Sequence, residues 1–114
     1  MSDCIFCKVV SGEIPSDIVH EGKEVIAFRD INPQAPTHVQ VIPRRHVGAI
    51  ADFDASRDTD WLVELIDVAN QIARDEGLDG GYRLVFNNGA LAGQSVLHVH
   101  LHVLGGRRLG WPPG

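Results

Sequence analysis

The spacing of apolar residues changes period along the chain, and those changes divide it into elements. Residues 5–10 form an apolar opening that suits a helical turn or two, broken by Gly12 and Pro15. Residues 18–21 read as a strand, and residues 24–29 bring Val25, Ile26 and Phe28 together in a β-rich run. The two runs form a hairpin around Gly22-Lys23, and Asp30-Ile31-Asn32-Pro33 has the composition of a turn. A third strand is predicted over 38–42, delimited by Pro36 and Pro43. From residue 56 to 76 the period lengthens. Leu62, Leu65, Ile66, Ala69, Ile72 and Ala73 recur at helical spacing, with Asp58 and Asp60 near the positive end and Gly77 placed to cap the other. Strands over 82–87 and 98–104 follow, separated by a loop containing Gly89 and Gly93. Consecutive strands without crossover helices predict an α+β fold on an antiparallel five-stranded sheet, with one long and one short helix.

Composition narrows the class. A chain of 114 residues is long enough for one modest core, and a single domain over 1–114 is expected. The formal charge is -5, and no basic cluster exceeds Arg44-Arg45 or Arg107-Arg108, which argues against a nucleic-acid partner. A small phosphate-bearing ligand stays open. No apolar run is long enough to cross a bilayer. Met1-Ser2-Asp3-Cys4 lacks a basic stretch followed by an apolar core, so nothing marks the chain for export. A reducing cytoplasm is expected, with both cysteines as thiols.

The run Val96-Leu97-His98-Val99-His100-Leu101-His102-Val103-Leu104 carries the candidate chemistry. Side chains alternate faces in a strand, so His98, His100 and His102 share one face while Val99, Leu101 and Val103 pack on the core. Three imidazoles on one face suit either a metal or a nucleophile. Alternate histidines, about 6–7 Å apart along a strand, can converge on zinc, and a zinc hydrolase is therefore a rival reading. Such a site also needs a group to activate water, and this strand supplies no carboxylate. As a nucleophile, a neutral imidazole can split one difficult displacement into two easier ones. Cys4-x-x-Cys7 alone is compatible with metal binding, redox chemistry or coincidence.

These motifs together resemble the histidine triad (HIT) nucleotide-binding proteins, specifically their HINT-like phosphoramidase branch. The resemblance spans nearly the whole chain: Cys4-Ile5-Phe6-Cys7, Gly12-Glu13-Ile14-Pro15, the run from Phe28 to His38, Gly93-Gln94-Ser95-Val96, the triad, and Gly105-Gly106 through Trp111-Pro112-Pro113-Gly114. It implies a HIT-like fold and hydrolysis of the P–N bond of purine nucleoside 5′-phosphoramidates, of the adenosine 5′-monophosphoramidase type, through a nucleotidyl-histidine on His100. His102 would then hydrogen-bond a phosphate oxygen, Ser95 would donate on the leaving group's side, and His38 would support the triad together with His98. Backbone N–H groups near Gly93 and Gln94, with Asn87 and Val96, would hold the remaining phosphate oxygens. Asp30 would accept hydrogen bonds from both ribose hydroxyls. Ile5, Phe6, Val9, Phe28 and Ile31 would form the base pocket, although each is equally at home in an ordinary core.

The resemblance also exposes departures. Arg29 stands where a histidine is usual, Gln40 is polar where the pocket is commonly apolar, and residues 88–92 are less polar than the matching loop of close relatives. Members with the N-terminal cysteine pair bind zinc with it, with the histidine after the Pro43-Arg44-Arg45 segment and with the first triad histidine. That implies a structural Cys4, Cys7, His46, His98 site. Relatives are homodimers in which the long helix and the strand like 82–87 pair across a twofold, joining the sheets, and the tail would reach the partner's site. Three readings follow: a phosphoramidase working through His100, a zinc-dependent hydrolase with the triad as ligands, and a nucleotide-binding regulator with little catalysis.

Overall fold

The structure, a computed structural model, describes residues 3–114, so the N-terminal reading at Met1 and Ser2 lies outside the described residues. A short helix α1 (Ile5–Ser11) is followed by strands β1 (Ile18–Glu21), β2 (Val25–Arg29) and β3 (Thr37–Pro43), the long helix α2 (Thr59–Asp75), then β4 (Tyr82–Phe86) and β5 (Leu101–Gly105). The strands form one antiparallel sheet in the order β1-β2-β3-β5-β4. This is the α+β architecture the pattern predicts. No helix among the described residues is long and apolar enough to cross a membrane.

The sheet is covered on both faces, and the alternation of each strand assigns its residues to one or the other. Val25 and Ala27 of β2, Val39 and Val41 of β3, and Leu101 and Val103 of β5 meet Trp61, Leu65, Val68, Ala69 and Ile72 of α2. That apolar stripe decides where α2 forms, because a helix of this length is marginal alone in water, while each fully buried large side chain contributes about 1.5–3 kcal/mol. On the other face, Ile26, Phe28 and Ile42 pack against Phe6 and Val9 of α1. The central strand β3 is consequently buried along its whole length.

Two polar contacts set the ends of these elements. Glu64 of α2 accepts hydrogen bonds from the N–H groups of Glu24 (2.8 Å) and Val25 (3.1 Å), which pins the β1–β2 hairpin to the helix. Asp58, at the start of α2, is fully buried and its side chain does not cap the backbone N–H groups of the helix. Its carboxylate instead accepts from Asp54 N–H at 2.9 Å and from Arg57 Nε and Nη2 at 2.9 and 2.8 Å. Arg57, above all, holds it well below the usual carboxylate range.

The last strand begins later than the histidine pattern suggests. The expected span was 98–104, whereas β5 starts at Leu101, leaving His98 in a bend and His100 in an irregular segment ahead of it. The β3–β5 ladder ends at the pair Val41 and Leu101. Two steps further along β3 lies Pro43, which has no N–H to donate, and its carbonyl is taken by the His98 ring at 2.9 Å. The alternation survives the end of the ladder: Val99 stays in the core beneath α2, with its N–H donating to Val47 O at 2.7 Å. Asn87 likewise falls just beyond β4.

Candidate active site

Three histidines hold fixed tautomers because of what each ring faces. The His100 Nδ1 lies 2.7 Å from the His98 carbonyl oxygen. A carbonyl only accepts, so Nδ1 carries the proton and Nε2 keeps a lone pair. The Gln34 backbone N–H donates to His38 Nδ1 at 3.0 Å, which puts the His38 proton on Nε2. That Nε2 lies 2.8 Å from His102 Nδ1, so His102 accepts there and carries its own proton on Nε2. The His100 and His102 rings are neighbours, 5.1 Å between centroids. One strand segment thus sets a lone pair beside an N–H donor, and β3 supplies the second layer.

The surroundings disfavour the charged form of His38 and His102. Burial lowers the pKa of His38, against the opposing pull of the Asp30 carboxylate 3.4 Å away. Burial also pushes His102 down to about 4, helped by His100 and His38 and opposed by Asp30. Phe6 of α1 closes the site from the other side, its ring edge-on to His100 at 5.1 Å and to His98 at 6.0 Å.

His98 faces a different set of atoms. Its Nε2–H donates to Pro43 O, leaving the Nδ1 lone pair directed at Cys4 Sγ (3.3 Å), Cys7 Sγ (3.5 Å) and His46 Nδ1 (3.2 Å), and Cys7 Sγ is also 3.4 Å from His46 Nδ1. Tetrahedral bonds of the lengths zinc makes to sulfur and nitrogen put neighbouring donors about 3.3–3.8 Å apart, so this donor set fits such an ion. The Pro43 carbonyl acts as the outer partner that orients a ligating imidazole. Two groups of potential ligand atoms come together among the described residues: Cys4, Cys7, His46 and His98 in one, and Asp30, His38 and His102 in the other. The triad does not converge on one ion, since His98 is directed to the cysteines, His100 to a carbonyl and His102 to His38.

The loop between β4 and β5 is organised from within. Gly93 N–H donates to Ala90 O and Gln94 N–H to Gly89 O, at 3.0 and 3.1 Å. The N–H groups expected to hold phosphate near Gly93 and Gln94 are therefore used inside the turn. Those of Ser95 and Val96 have no partner among the described residues, and neither do the Ser95 hydroxyl and the Asn87 amide. The Gln94 side chain braces the loop instead, donating to Gly48 O and Val96 O and accepting from Gly89 N–H. Ser95, Val96 and Ile5 line an open cavity of about 760 Å³ together with Cys4, Cys7 and His46.

The expected base pocket divides in two. Phe6, Val9 and Phe28 are buried in the smaller core, where they can only floor a ligand site, whereas Ile5 is half exposed and Ile31 fully so. Asp30 stands at the end of β2, half-buried, with Oδ1 accepting from Asn32 N–H at 2.8 Å. Arg29 points away from all of these. It lies on the α2 face of the sheet and pairs with Glu76 through both terminal nitrogens, at 3.2 and 3.0 Å, so its departure from histidine does not alter the pocket. Gln40, by contrast, lies on the site face, cross-strand from both His102 and Phe28. Sequence reasoning did not assign Gln34 or Pro43, because both act through backbone atoms and leave no side-chain signal.

A sheet of this topology with a histidine triad leading into its last strand defines a class, and comparison with known proteins places the chain within it. The HIT domain matches residues 11–109, and this chain belongs to that family. It is similar to the 14 kDa zinc-binding protein of Zea mays, 49% identical over 114 residues that cover 99% of this chain and 89% of that one. Among solved structures it resembles a HIT family hydrolase from Legionella pneumophila Philadelphia 1, with a TM-score of 0.95 and 50% identity, covering 98% of this chain and all of that one. A histidine triad protein from Clostridium difficile is similar at a TM-score of 0.91 and 41% identity, covering 96% of each chain.

Proposed function

We propose that this protein is a hydrolase of purine nucleoside 5′-phosphoramidates. The observation that carries the reading is the His98 carbonyl holding His100 Nδ1–H at 2.7 Å, which leaves the Nε2 lone pair for attack. In the first step Nε2 bonds to the α-phosphorus and the P–N bond to the amine breaks. The amine leaves with a proton supplied from the Ser95 side. In the second step water bonds to phosphorus and gives a proton back to the Ser95 side, replacing the one the amine took, the bond to His100 breaks, and the nucleoside monophosphate departs with the imidazole restored. The His102 Nε2–H, oriented by His38, stabilises charge on a phosphate oxygen in both transition states, alongside the unpartnered N–H groups of Ser95 and Val96 and the Asn87 amide. Asp30 takes the ribose hydroxyls, while Ile5 and Ile31 flank the base above Phe6, Val9 and Phe28. The sequence motifs, the tautomers and the hydrolase name of the Legionella relative all support this reading.

Cys4, Cys7, His46 and His98 would hold zinc as a structural ion that crosslinks α1 to the strand bearing His100, and the Zea mays relative is named for zinc binding. A metal there leaves His100 and His102 to the chemistry, which favours this reading over a zinc hydrolase built on the triad. The reading also comprises a single domain and a homodimer formed through the open edge of β4, where Tyr82 is exposed and the rest of the strand half-buried. Thiol ligands suit the reducing cytoplasm.

Single-turnover hydrolysis of a fluorogenic adenosine phosphoramidate by the wild type and His100→Gly tests the covalent route. A mass increase of one nucleotidyl group in the wild type and loss of turnover by at least about a thousandfold in the variant are expected. Undiminished turnover in the variant would remove His100 from the chemistry. Nucleotide binding without turnover in the wild type would identify a regulator instead.

A further inference from the structure

Gln40 is a polar residue buried on the face of the sheet that carries the site, and it makes a specific contact. It is 8% exposed, on β3 between His102 and Phe28. Its Nε2 donates to Asp30 Oδ2 at 2.7 Å. The carboxylate can only accept, so the amide orientation is settled and Oε1 must point elsewhere. That oxygen is buried and has no hydrogen-bond partner among the described residues. A buried unpaired acceptor lowers stability, so the amide at this position is a burden on the fold that its bond to Asp30 only partly offsets.

The bond restricts what Asp30 can do. Each carboxylate oxygen accepts along two directions, and one of each is occupied: Oδ1 by Asn32 N–H at 2.8 Å and Oδ2 by Gln40. One direction is left on each oxygen, in a carboxylate that cannot rotate without giving up both bonds. Two acceptors at fixed spacing match two adjacent hydroxyls. Without Gln40 the carboxylate has another place to go, since Oδ2 is only 3.4 Å from His38 Nε2.

We infer that Gln40 is a positioning residue that sets sugar specificity: it locks Asp30 into the geometry of a vicinal diol, so the site selects ribonucleosides over 2′-deoxyribonucleosides. The inference rests on the proposed nucleotide site. A site built to hydrogen-bond a hydroxyl rejects the analogue lacking it, because a polar group is then left unpaired. The rejection is sharpest when that group cannot reorient. Gln40 supplies the rigidity and Asp30 the contact.

Titration calorimetry with adenosine 5′-monophosphate and 2′-deoxyadenosine 5′-monophosphate tests this on the wild type, Gln40→Met, Asp30→Asn and the double variant. Wild type should bind the ribonucleotide more tightly, and Gln40→Met should shrink that ratio about tenfold. In the Asp30→Asn background the same change should leave the ratio unaltered, because Gln40 acts through Asp30. Thermal melts separate this from a structural role: Gln40→Met should melt at the wild-type temperature or above, since it removes the unpaired oxygen. A ratio unchanged by Gln40→Met, or equal weakening of both nucleotides with a lowered melting temperature, would overturn the inference and leave the nucleotide site standing. A wild type that binds neither nucleotide would overturn both.

Discussion

His100 and His102 differ by two positions and by one proton, and the difference comes from what lies behind each ring. A carbonyl behind His100 forces its proton onto Nδ1, while a protonated His38 Nε2 behind His102 forces it onto Nε2. The same burial has a measurable consequence for stability. His102 titrates near 6.5 in an unfolded chain and near 4 in the fold, where it faces His100, His38 and Asp30. Above pH 6.5 both states are neutral and the residue contributes no pH dependence. As pH falls from 6.5 towards 4, the unfolded chain binds a proton that the folded protein refuses, and stability is lost across that window. His102→Gln, which keeps an acceptor for His38 Nε2–H, should remove this loss. The stability gap between wild type and variant, read from urea melts, should therefore move by on the order of 1 kcal/mol in the variant's favour between pH 7 and pH 5. A gap that stays constant would show that His102 is not held neutral.

At the scale of elements, the fold is held by side chains that bridge between units as much as by the units themselves. Glu64 shows this for the β1–β2 hairpin. A Cβ added at Gly22 would run into Glu64 Oε2, so the two hydrogen bonds to Glu24 and Val25 depend on the absence of a side chain at that turn. Gly22→Ala should destabilise the protein by about 1–3 kcal/mol in urea melts, through crowding and the loss of those bonds. An unchanged midpoint would mean the carboxylate is not needed there. Much was legible from apolar periodicity: α2, the hairpin and the core-facing Val99, Leu101 and Val103 all follow from it, whereas the run of Val25, Ile26 and Phe28 divides between the two faces of the sheet. The start of the last strand was not, because it depends on Pro43 lying opposite in β3, which no local pattern records. The face that Arg29 takes, paired with Glu76 on the α2 side, was likewise not assigned from the sequence.

For the whole molecule, the cysteine–histidine cluster joins three distant parts of the chain: the start of α1, the segment after β3 and the approach to β5. Of the four ligand candidates, Cys4 packs at the edge of the smaller core cluster beside α1, and none belongs to the cluster between the sheet and α2. Metal removal should therefore loosen α1 and lower the melting temperature by several degrees without unfolding the sheet. Calorimetry of protein treated with a strong chelator, with readdition of zinc, checks this, and Cys7→Ala should abolish the response. A melting temperature indifferent to both chelator and zinc would count against a structural ion.

By itself the sequence determined which segments form strands and helices, that Val99, Leu101 and Val103 face the core, and that three histidines lie on the other side of the same segment. Periodicity and local turn chemistry suffice for that, because they act over a few residues. The tertiary structure decided which histidine does what. The histidines are the same chemical group, and their roles separate only when Pro43 O, Gln34 N–H, His38 and the cysteines, all remote along the chain, are brought against particular ring nitrogens. It also decided that Gln40 rather than Arg29 touches Asp30, since a one-residue step along a strand sends a side chain to the opposite face of the sheet.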